Sequence, residues 1–554
     1  MKDESKSAAR PRPRAGPIRR VLSEAGGGAI LRAPRLAPRI LSPVLPAIIA
    51  GLILAGVFLP LTGANAAAAD QVAGPIPLIP GLGNVHHAVS TRNPEAQRYF
   101  DQGLALVYGF YDGDAELSFR RAAELDPHLA MAWWGVALAL GPDINHGIDL
   151  AGEKAAQDAI VKAKELDGGA PPEERAYINA LAKRYSVDLS AGGTHQLDLD
   201  YHAAMGELSA KYPDDLDAAT LYAESGMDLR PWQLWTTDGK PVEGTPEIVS
   251  VLESVLRRDP DHIGANHFYI HAIEASARPE YALPSAERLG RLAPGEGHLV
   301  HMPAHIYIRI GDYEASAKSN EAALMADRAY KKLRGFYPPY HLHNVNFLWQ
   351  SYERSGQYRL ARRAAEQFMA ESHSIDPLVW VLVRFQRWDE ILDPAGVIPA
   401  GAEDTAARYA RGMANAATGR IISAEKEDSA LLAAEKNHAG WARDTPGIAE
   451  KVLSARIARA KGDKAAELAR LEEAIAIQDG LPYDEPPPWY FPVRESLGAA
   501  MLRNGDTTGA EAVFREDLKR NPRNGRSLFG LWHSLLAEGK PSDAGWVEQQ
   551  FHAA

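Results

Sequence analysis

The sequence predicts an all-α fold, a superhelix built by stacking similar pairs of helices. A set of small, aromatic and proline residues occurs twice with identical spacing, at Gly103, Ala115, Phe119 and Pro127 and again at Gly498, Ala510, Phe514 and Pro522. Pro260 and Pro294 also stand 34 residues apart, with Ala282 between them. No run of alternating β-branched residues indicates a strand.

Each residue type in this pattern has a structural reason. Small residues let the two helices of a pair approach closely, a large aromatic residue fills the space beside them, and proline cannot continue the second helix. The pattern resembles the tetratricopeptide repeat, a helix–turn–helix unit. Glycines are expected at the turn inside several units, namely Gly311, Gly356, Gly462, Gly505 and Gly539.

The resemblance covers roughly residues 95–554 and leaves room for at most about thirteen units. It implies an α-α superhelix, or solenoid, with a concave face. Residues 236–245 and 480–488 interrupt the period, and we expect both to be loops between repeats.

Composition limits the possible classes of function. The 554 residues are 46% hydrophobic and 24% charged, values that exclude wholesale disorder and a polytopic membrane protein. Beyond residue 66 the chain carries 50 basic and 69 acidic residues, so nucleic acid is not an expected partner. The absence of cysteine excludes disulfides and thiolate ligands, so His, Asp or Glu would have to hold any metal.

Residues 1–66 have the organisation of a secretory signal peptide. An Arg/Pro-rich region precedes an uncharged stretch from Ile40 to Ala69, and Ala64-Asn65-Ala66 provides a cleavage site. The uncharged stretch is also long enough for an uncleaved membrane anchor. We expect a periplasmic or extracellular protein, membrane-anchored only if this segment is retained. An extended segment at residues 67–94 would then lead into the repeats.

Histidine is concentrated in one part of the chain. Eight of the 18 histidines lie between residues 262 and 343. Among them are two pairs, His267 with His271 and His301 with His305, and residues four apart share one face of a helix. The repeat phase places both pairs on the first helices of neighbouring units, at positions that the resemblance assigns to the concave face.

Four imidazoles directed into one cavity predict a transition-metal site of His267, His271, His301 and His305. Imidazole suits Zn, Cu, Fe and Ni. Glu224 or Glu274 would be an oxygen ligand or the hydrogen-bond acceptor of a ligand histidine. Alternatively, the histidines bind a peptide or an acidic ligand in the groove, or are satisfied within the helix packing.

Further polar residues are candidates for binding a ligand in the groove. They are Glu224, Asp228, Arg230, Glu274, His298, His343 and Asn346. Asp228 and Arg230 either close one side of the groove or pair with each other while the neighbouring tryptophans pack a long loop, and we favour the pairing.

Several segments between residues 84 and 350 resemble a group of exported bacterial tetratricopeptide-repeat proteins. Among them are residues 84–87, 133–135, 229–232, 267–276 and 297–311. The resemblance implies fold and location rather than a particular reaction. It also implies a histidine where Asn346 stands, so a site that extends to that repeat departs from the pattern.

Three functions remain open at this point. The first is an exported repeat protein that binds a partner segment or a small molecule around a histidine-rich, metal-bearing centre. The second is a metal-dependent enzyme that uses Glu224, Asp228 or Glu274 as a general acid or base. The third is an assembly scaffold in which the histidines are incidental. The sequence contains no P-loop, serine-hydrolase elbow or H-E-x-x-H motif.

Overall fold

The computed structural model describes residues 75–186, 193–399, 401–437 and 441–554. The signal peptide or anchor predicted at residues 1–66 lies outside these ranges. Inside them, no helix is both long enough and apolar enough to cross a bilayer. The β structure in the same ranges is limited to one isolated bridge between Trp235 and Pro241.

The described part of the chain is built from α-helices joined by short turns and a few longer loops. The first thirteen are α1 (Pro94–Val107), α2 (Asp112–Leu125), α3 (Ala130–Ala139), α4 (Leu150–Leu166), α5 (Pro172–Leu181), α6 (Gly193–Lys211), α7 (Leu216–Asp228), α8 (Thr245–Arg258), α9 (Ile263–Glu274), α10 (Leu283–Leu292), α11 (Gly297–His301), α12 (Pro303–Ile310) and α13 (Tyr313–Arg334). The others are α14 (His341–Arg354), α15 (Tyr358–Ser372), α16 (Asp376–Arg384), α17 (Trp388–Leu392), α18 (Thr405–Ala417), α19 (Ile421–Asn437), α20 (Trp441–Lys461), α21 (Lys464–Gly480), α22 (Val493–Asn504), α23 (Thr507–Arg520), α24 (Gly525–Ala537) and α25 (Pro541–Ala553).

Consecutive helices pack against each other as twelve pairs across the described ranges, because α11 and α12 are one helix interrupted at Pro303. The five glycines predicted at the turns inside pairs all adopt positive φ, between 74° and 89°. Glycine tolerates this left-handed conformation without a steric penalty. The predicted fold is therefore confirmed: the described part of the chain is an all-α superhelix of stacked helix pairs.

The prediction for one of the two loops is wrong. Residues 236–245 join α7 to α8, which are the two helices of one pair, rather than joining two repeats. Residues 480–488 do connect successive pairs, because α21 is followed there by α22.

The repeated aromatic residue is held between glycines from two helices. The ring of Phe119 is fully buried, and a Cβ added to Gly103 would lie 2.7 Å from it. A Cβ on Gly135, in the first helix of the next pair, would lie 2.3 Å from the same ring. Phe514 is enclosed in the same way by Gly498 and Gly530. The recurring glycines therefore set how closely neighbouring pairs stack.

We expect Gly103→Ala to lower the free energy of unfolding by about 1–3 kcal/mol, because the added methyl group overpacks a ring that is enclosed on both sides. Urea unfolding followed by circular dichroism measures the change. The matched control is Gly545→Ala in α25, where an added Cβ meets nothing within 4 Å. The control should gain up to about 1 kcal/mol from helix propensity. Equal effects at both positions would contradict the enclosure of Phe119.

Distant repeats also contact each other directly. Asp114 in α2 forms a buried ion pair with Arg334 at the end of α13. The hydroxyl of Tyr313 donates to the carbonyl oxygen of Pro522 over 3.0 Å, and the Tyr483 hydroxyl reaches Glu274. The superhelix thus closes on itself, which explains why the helix faces that carry the histidine pairs are buried rather than exposed along an open groove.

Candidate metal centre

Helix α9 and the start of α11 bring together the first set of three histidines, His267, His271 and His298. The first two stand four residues apart on one face of α9, and their Nε2 atoms are 3.1 Å apart. One ring nitrogen of each of the three lies within 4.8 Å of the others. The imidazoles are 0–6% exposed, so bulk water does not solvate them.

Helices α11, α12 and α14 form the second set from His301, His305 and His343. The Nε2 atoms of His301 and His305 are 2.8 Å apart, and the Nε2 of His343 is 3.4 Å from that of His305. Nitrogen atoms of these three also lie within 4.8 Å of one another. His301 and His305 are 0% and 1% exposed.

In each of the two i,i+4 histidine pairs, the Nδ1 atoms are the outer nitrogens, and each contacts a hydrogen-bond acceptor. The Nδ1 atom of His267 lies 2.6 Å from the carbonyl oxygen of Tyr108, and that of His301 lies 2.6 Å from Oδ1 of Asn320. The Nδ2 amide of Asn320 donates to the carbonyl oxygen of Ser316, which identifies Oδ1 as the acceptor for His301. Each Nδ1 must therefore carry the proton, and the Nε2 of a neutral imidazole then presents a lone pair to the inside.

Glu274 joins the two sets. Its Oε1 is 2.7 Å from Nδ1 of His271, and its Oε2 is 2.6 Å from Nδ1 of His305. Burial opposes ionisation of this carboxyl, but the charges and hydrogen bonds of His305 and His271 outweigh burial and lower its pKa. Glu274 thus accepts from the outer nitrogens of His271 and His305, and its role beside a metal stays a prediction.

The surroundings favour the neutral form of four of the six imidazoles. Burial, followed by the proximity of neighbouring imidazoles, lowers the pKa of His267, His298 and His301 well below the usual range. The same causes lower the pKa of His343 to about 3. The unprotonated Nε2 atoms of His267 and His301 therefore lie 3.1 Å and 2.8 Å from the Nε2 atoms of His271 and His305, and a cation between the two nitrogens of each pair could bind both.

His298 has no hydrogen-bond partner for either ring nitrogen among the described residues. It is 1% exposed, and its ring stacks on Tyr340 with centroids 4.0 Å apart. A buried polar group without a partner costs about 1–3 kcal/mol. The environment of His298 is thus complete only if a further group binds its nitrogen.

Aromatic residues enclose both sets. Phe110 packs on His267, and Phe347 packs on His301 and His305, with ring centroids 4.6–4.7 Å apart. Trp232 meets His271 edge-on at 5.6 Å. A cavity of about 20 Å³, lined by Trp232, His271 and Glu274 among others, has room for about one water molecule.

The loop after α21 reaches the centre from a distant repeat. The Tyr483 hydroxyl lies 3.3 Å from Oε2 of Glu274 and 2.9 Å from Oε1 of Glu485. The Arg309 guanidinium lies over the Tyr483 ring at 5.4 Å and donates to the carbonyl oxygen of Glu274 over 2.9 Å. The sequence predicted only a loop between repeats here and gave no indication that this loop covers the centre.

Not all of the other candidate ligand residues lie at the histidine sets. Glu224 and Asp228 belong to a separate buried acidic cluster with Asp143, and Asp228 pairs with Arg184 at 2.5 Å rather than with Arg230. The predicted pairing of Asp228 with Arg230 is therefore wrong. Arg230 is exposed instead.

Asn346 lies in α14, and its side-chain oxygen accepts a hydrogen bond from the indole N–H of Trp349 over 2.6 Å. This oxygen is therefore bound to Trp349 rather than to a histidine of either set. His298 and His343, predicted only as groove residues, complete the two sets of three.

Sequence reasoning did not find the acceptors that orient the histidines. Tyr108 precedes His267 by 159 residues, and Asn320 follows His301 by 19 residues. Tyr108 is itself held by its hydroxyl, which donates to Asp217 over 2.5 Å. No spacing rule connects such residues, because the contacts depend on how successive pairs are angled.

Glu224 allows a test of the acidic cluster. Burial and the charge of Asp228 raise its pKa well above 4.5, so the folded protein keeps a proton that the unfolded chain releases. Stability should therefore fall as pH rises above about 4.5. As the pH rises above about 5, we expect Glu224→Gln to become more stable than wild type by up to about 1.4 kcal/mol for each pH unit.

Urea unfolding at several pH values measures this difference. Glu165→Gln, which alters an exposed carboxyl, is the matched control and should follow wild type. A Glu224→Gln curve parallel to that of wild type would show that Glu224 is ionised in the folded protein.

Comparisons with known proteins give distant structural likenesses and no match in sequence. No family model matches the chain, and no curated protein matches it. Among solved structures, yeast Tom70 shares 10% identity over 81% of this chain and 90% of its own, with a TM-score of 0.29. The human IFIT1 dimer with PPP-AAAA shares 14% identity over 81% and 88%, with a TM-score of 0.32. The APC/C hetero-tetramer Cut9-Hcn1 shares 12% identity over 79% and 76%, with a TM-score of 0.30. At these scores the fold assignment rests on the helix pairs of the chain itself.

Proposed function

We propose that this protein is an exported helical-repeat protein whose superhelix encloses a buried transition-metal centre. The observation that carries the proposal is the pair of Nε2 contacts, 3.1 Å between His271 and His267 and 2.8 Å between His305 and His301. The Nδ1 atoms of all four contact acceptors on the outer side, so in the neutral form of each ring the Nε2 lone pair faces inward. A metal–imidazole bond of about 2.0–2.1 Å would place an ion between such atoms with small ring movements.

The surroundings support the same proposal. A histidine that binds a metal usually donates its other ring N–H to a carboxylate or a carbonyl, as Glu274 and Tyr108 allow here. Imidazole ligands suit Zn, Cu, Fe or Ni. The aromatic residues around the sets exclude water, and this strengthens the interactions of a bound ion.

Elemental analysis of the mature, untagged protein tests the proposal. We expect transition metal in stoichiometric amount after dialysis, and loss of that metal in His271→Ala/His305→Ala. Wild-type protein that neither retains metal nor takes up added Zn(II) or Cu(I) would overturn the proposal and favour an assembly scaffold.

A second candidate function is metal-dependent catalysis, which a carboxyl near the centre favours. Burial raises the pKa of Glu485 to about 7, and Glu485 shares the Tyr483 hydroxyl with Glu274. A group that titrates near neutral pH suits general acid–base chemistry. Catalysis also needs an open metal position. Azide added to Co(II)-loaded protein should change the visible spectrum if such a position exists, and an unchanged spectrum would favour a closed, structural site.

The proposed location gives a further expected result. Because a small-residue cleavage site follows the apolar stretch, the mature chain should begin near Ala67 and be recovered outside the cytoplasm. Intact-mass measurement of protein from each cell fraction checks this expectation. A chain that retains residues 40–66 in the membrane fraction would instead establish an anchored form.

A further inference from the structure

We propose that the centre holds two transition-metal ions, one in each set of three histidines, rather than one ion shared by four. This inference rests on the proposed function and adds the number of ions and two further ligands. Set A is His267, His271 and His298, and set B is His301, His305 and His343. The ions are of the first-row transition-metal class that neutral imidazole binds.

The spacing within each set fits one ion. Three nitrogens at about 2.0–2.1 Å from a common ion stand about 3.3–3.6 Å apart. The Nε2 contacts of 3.1 Å in set A, and of 2.8 Å and 3.4 Å in set B, are close to that separation. In both sets one nitrogen from each histidine lies within 4.8 Å of the others, so small side-chain rotations bring all three to one ion.

The directions in which the rings of the two sets point argue against a single shared ion. The ring planes of His271 and His305 are inclined at 72°, and the Nε2 of each faces a partner in its own set. To meet at one ion these rings would have to turn away from Glu274, which holds both of their Nδ1 atoms. Two ions leave all the outer hydrogen bonds intact.

His298 gives independent support for a third ligand in set A. Its ring is 99% buried and stacked on Tyr340, yet neither nitrogen has a hydrogen-bond partner in the described part of the chain. Its ring centroid is 5.0 Å from that of His267. A metal ion bound to one nitrogen satisfies a group that no protein atom satisfies.

Glu274 couples the two ions. One carboxylate oxygen binds a ligand histidine of set A and the other binds a ligand histidine of set B. A carboxylate in this position raises the basicity of the imidazole it accepts from, and its loss typically lowers metal affinity about 10–100-fold. The shared carboxylate predicts that one substitution, Glu274→Gln, weakens both sites by that factor.

The experiment counts ions in the full mature chain. Untagged protein is stripped with a chelator and loaded with Zn(II), or with Cu(I) without oxygen, and bound metal is measured after gel filtration. We expect two ions per chain for wild type. His298→Gln and His343→Gln should each keep one ion tightly while affinity for the second falls at least about 10-fold, because each loses one ligand.

His341→Gln is the matched control. His341 is also buried and lies two residues from His343 in α14, but its nitrogens face Asp327 and Glu371. This variant should bind two ions. Circular dichroism of each metal-free variant establishes that it folds. A titration of wild type with Co(II), whose absorption should saturate at two equivalents, gives the count without any substitution.

The possible results separate this inference from the proposed function. One ion per chain, lost on changing any of the four paired histidines, would overturn the two-ion arrangement and leave the proposed function standing. No bound ion would overturn both. If both variants still bound two ions with unchanged affinity, the ions would lie elsewhere on the chain and the inference would be overturned.

Discussion

Adding Zn(II) or Cu(I) to the metal-free protein is expected to raise its melting temperature, and the His271→Ala/His305→Ala variant is expected to show no such rise. An ion that binds only the folded state stabilises it by about 4 kcal/mol when its free concentration is a thousand times the dissociation constant. The unfolded chain cannot hold together the histidines of either set, which come from α9 and α11 in set A and from α11, α12 and α14 in set B. The ligand set therefore exists only in the folded state, and metal binding is coupled to folding.

Differential scanning calorimetry with and without metal measures this coupling. Each of the two replaced histidines has an Nε2 in a close inward contact, so the variant loses one ligand from each set. His86→Ala, at a histidine whose side chain is 63% exposed and paired with Asp101, is the control and should respond as wild type does. A metal-dependent rise of equal size in the double variant would show that the ions bind elsewhere on the chain.

The features that the sequence predicted correctly are local ones. The turn glycines, the small residues and the enclosed aromatic rings recur because each acts within one helix pair or between adjacent pairs. The histidine pairs are also local, since residues four apart share a helix face and the repeat phase fixes which face. Glu274 was found because it lies three residues after His271 on the same helix.

The features that the sequence did not predict depend on contacts between distant repeats. The orientation of one pair relative to the next is a small angle that no single residue encodes, and it accumulates along the superhelix. That accumulated rotation brings Tyr483 to Glu274 across 209 residues. It also turns the expected open groove into a closed interior. Similarly, the partner of Asp228 is Arg184, 44 residues earlier, rather than its near neighbour Arg230.

Closure of the superhelix explains how one chain can bury five imidazoles and partly bury a sixth, that of His343. The aromatic residues Tyr108, Phe110 and Tyr111, between α1 and α2, lie against the first set and its neighbours. The helices that carry the second set are held to the same region by the ion pair between Asp114 and Arg334. The wall of the centre therefore depends on a contact that spans 220 residues of sequence.

Arg334→Met is expected to lower the free energy of unfolding by about 3–5 kcal/mol, because it leaves the carboxylate of Asp114 buried without its cation. Asp114 is 6% exposed and accepts from Nη2 and Nε of Arg334 over 2.8 Å and 3.1 Å, so among the described side chains only the hydroxyl of Tyr330 would remain as its partner. Urea unfolding measures the loss. Arg515→Met, which breaks an exposed ion pair with Glu511 inside α23, is the matched control and should cost less than about 1 kcal/mol.

Hydrogen exchange shows where the Arg334→Met destabilisation acts. If the superhelix is closed by this ion pair, α1 and α2 should lose protection together with α13 and α14, although more than 200 residues separate Asp114 from Arg334. Metal affinity should fall as well, because Tyr108 and Phe110 would no longer be held against His267. A loss confined to α13 and its sequence neighbours, with unchanged metal binding, would contradict closure and return the chain to a stack in which each repeat depends only on the next.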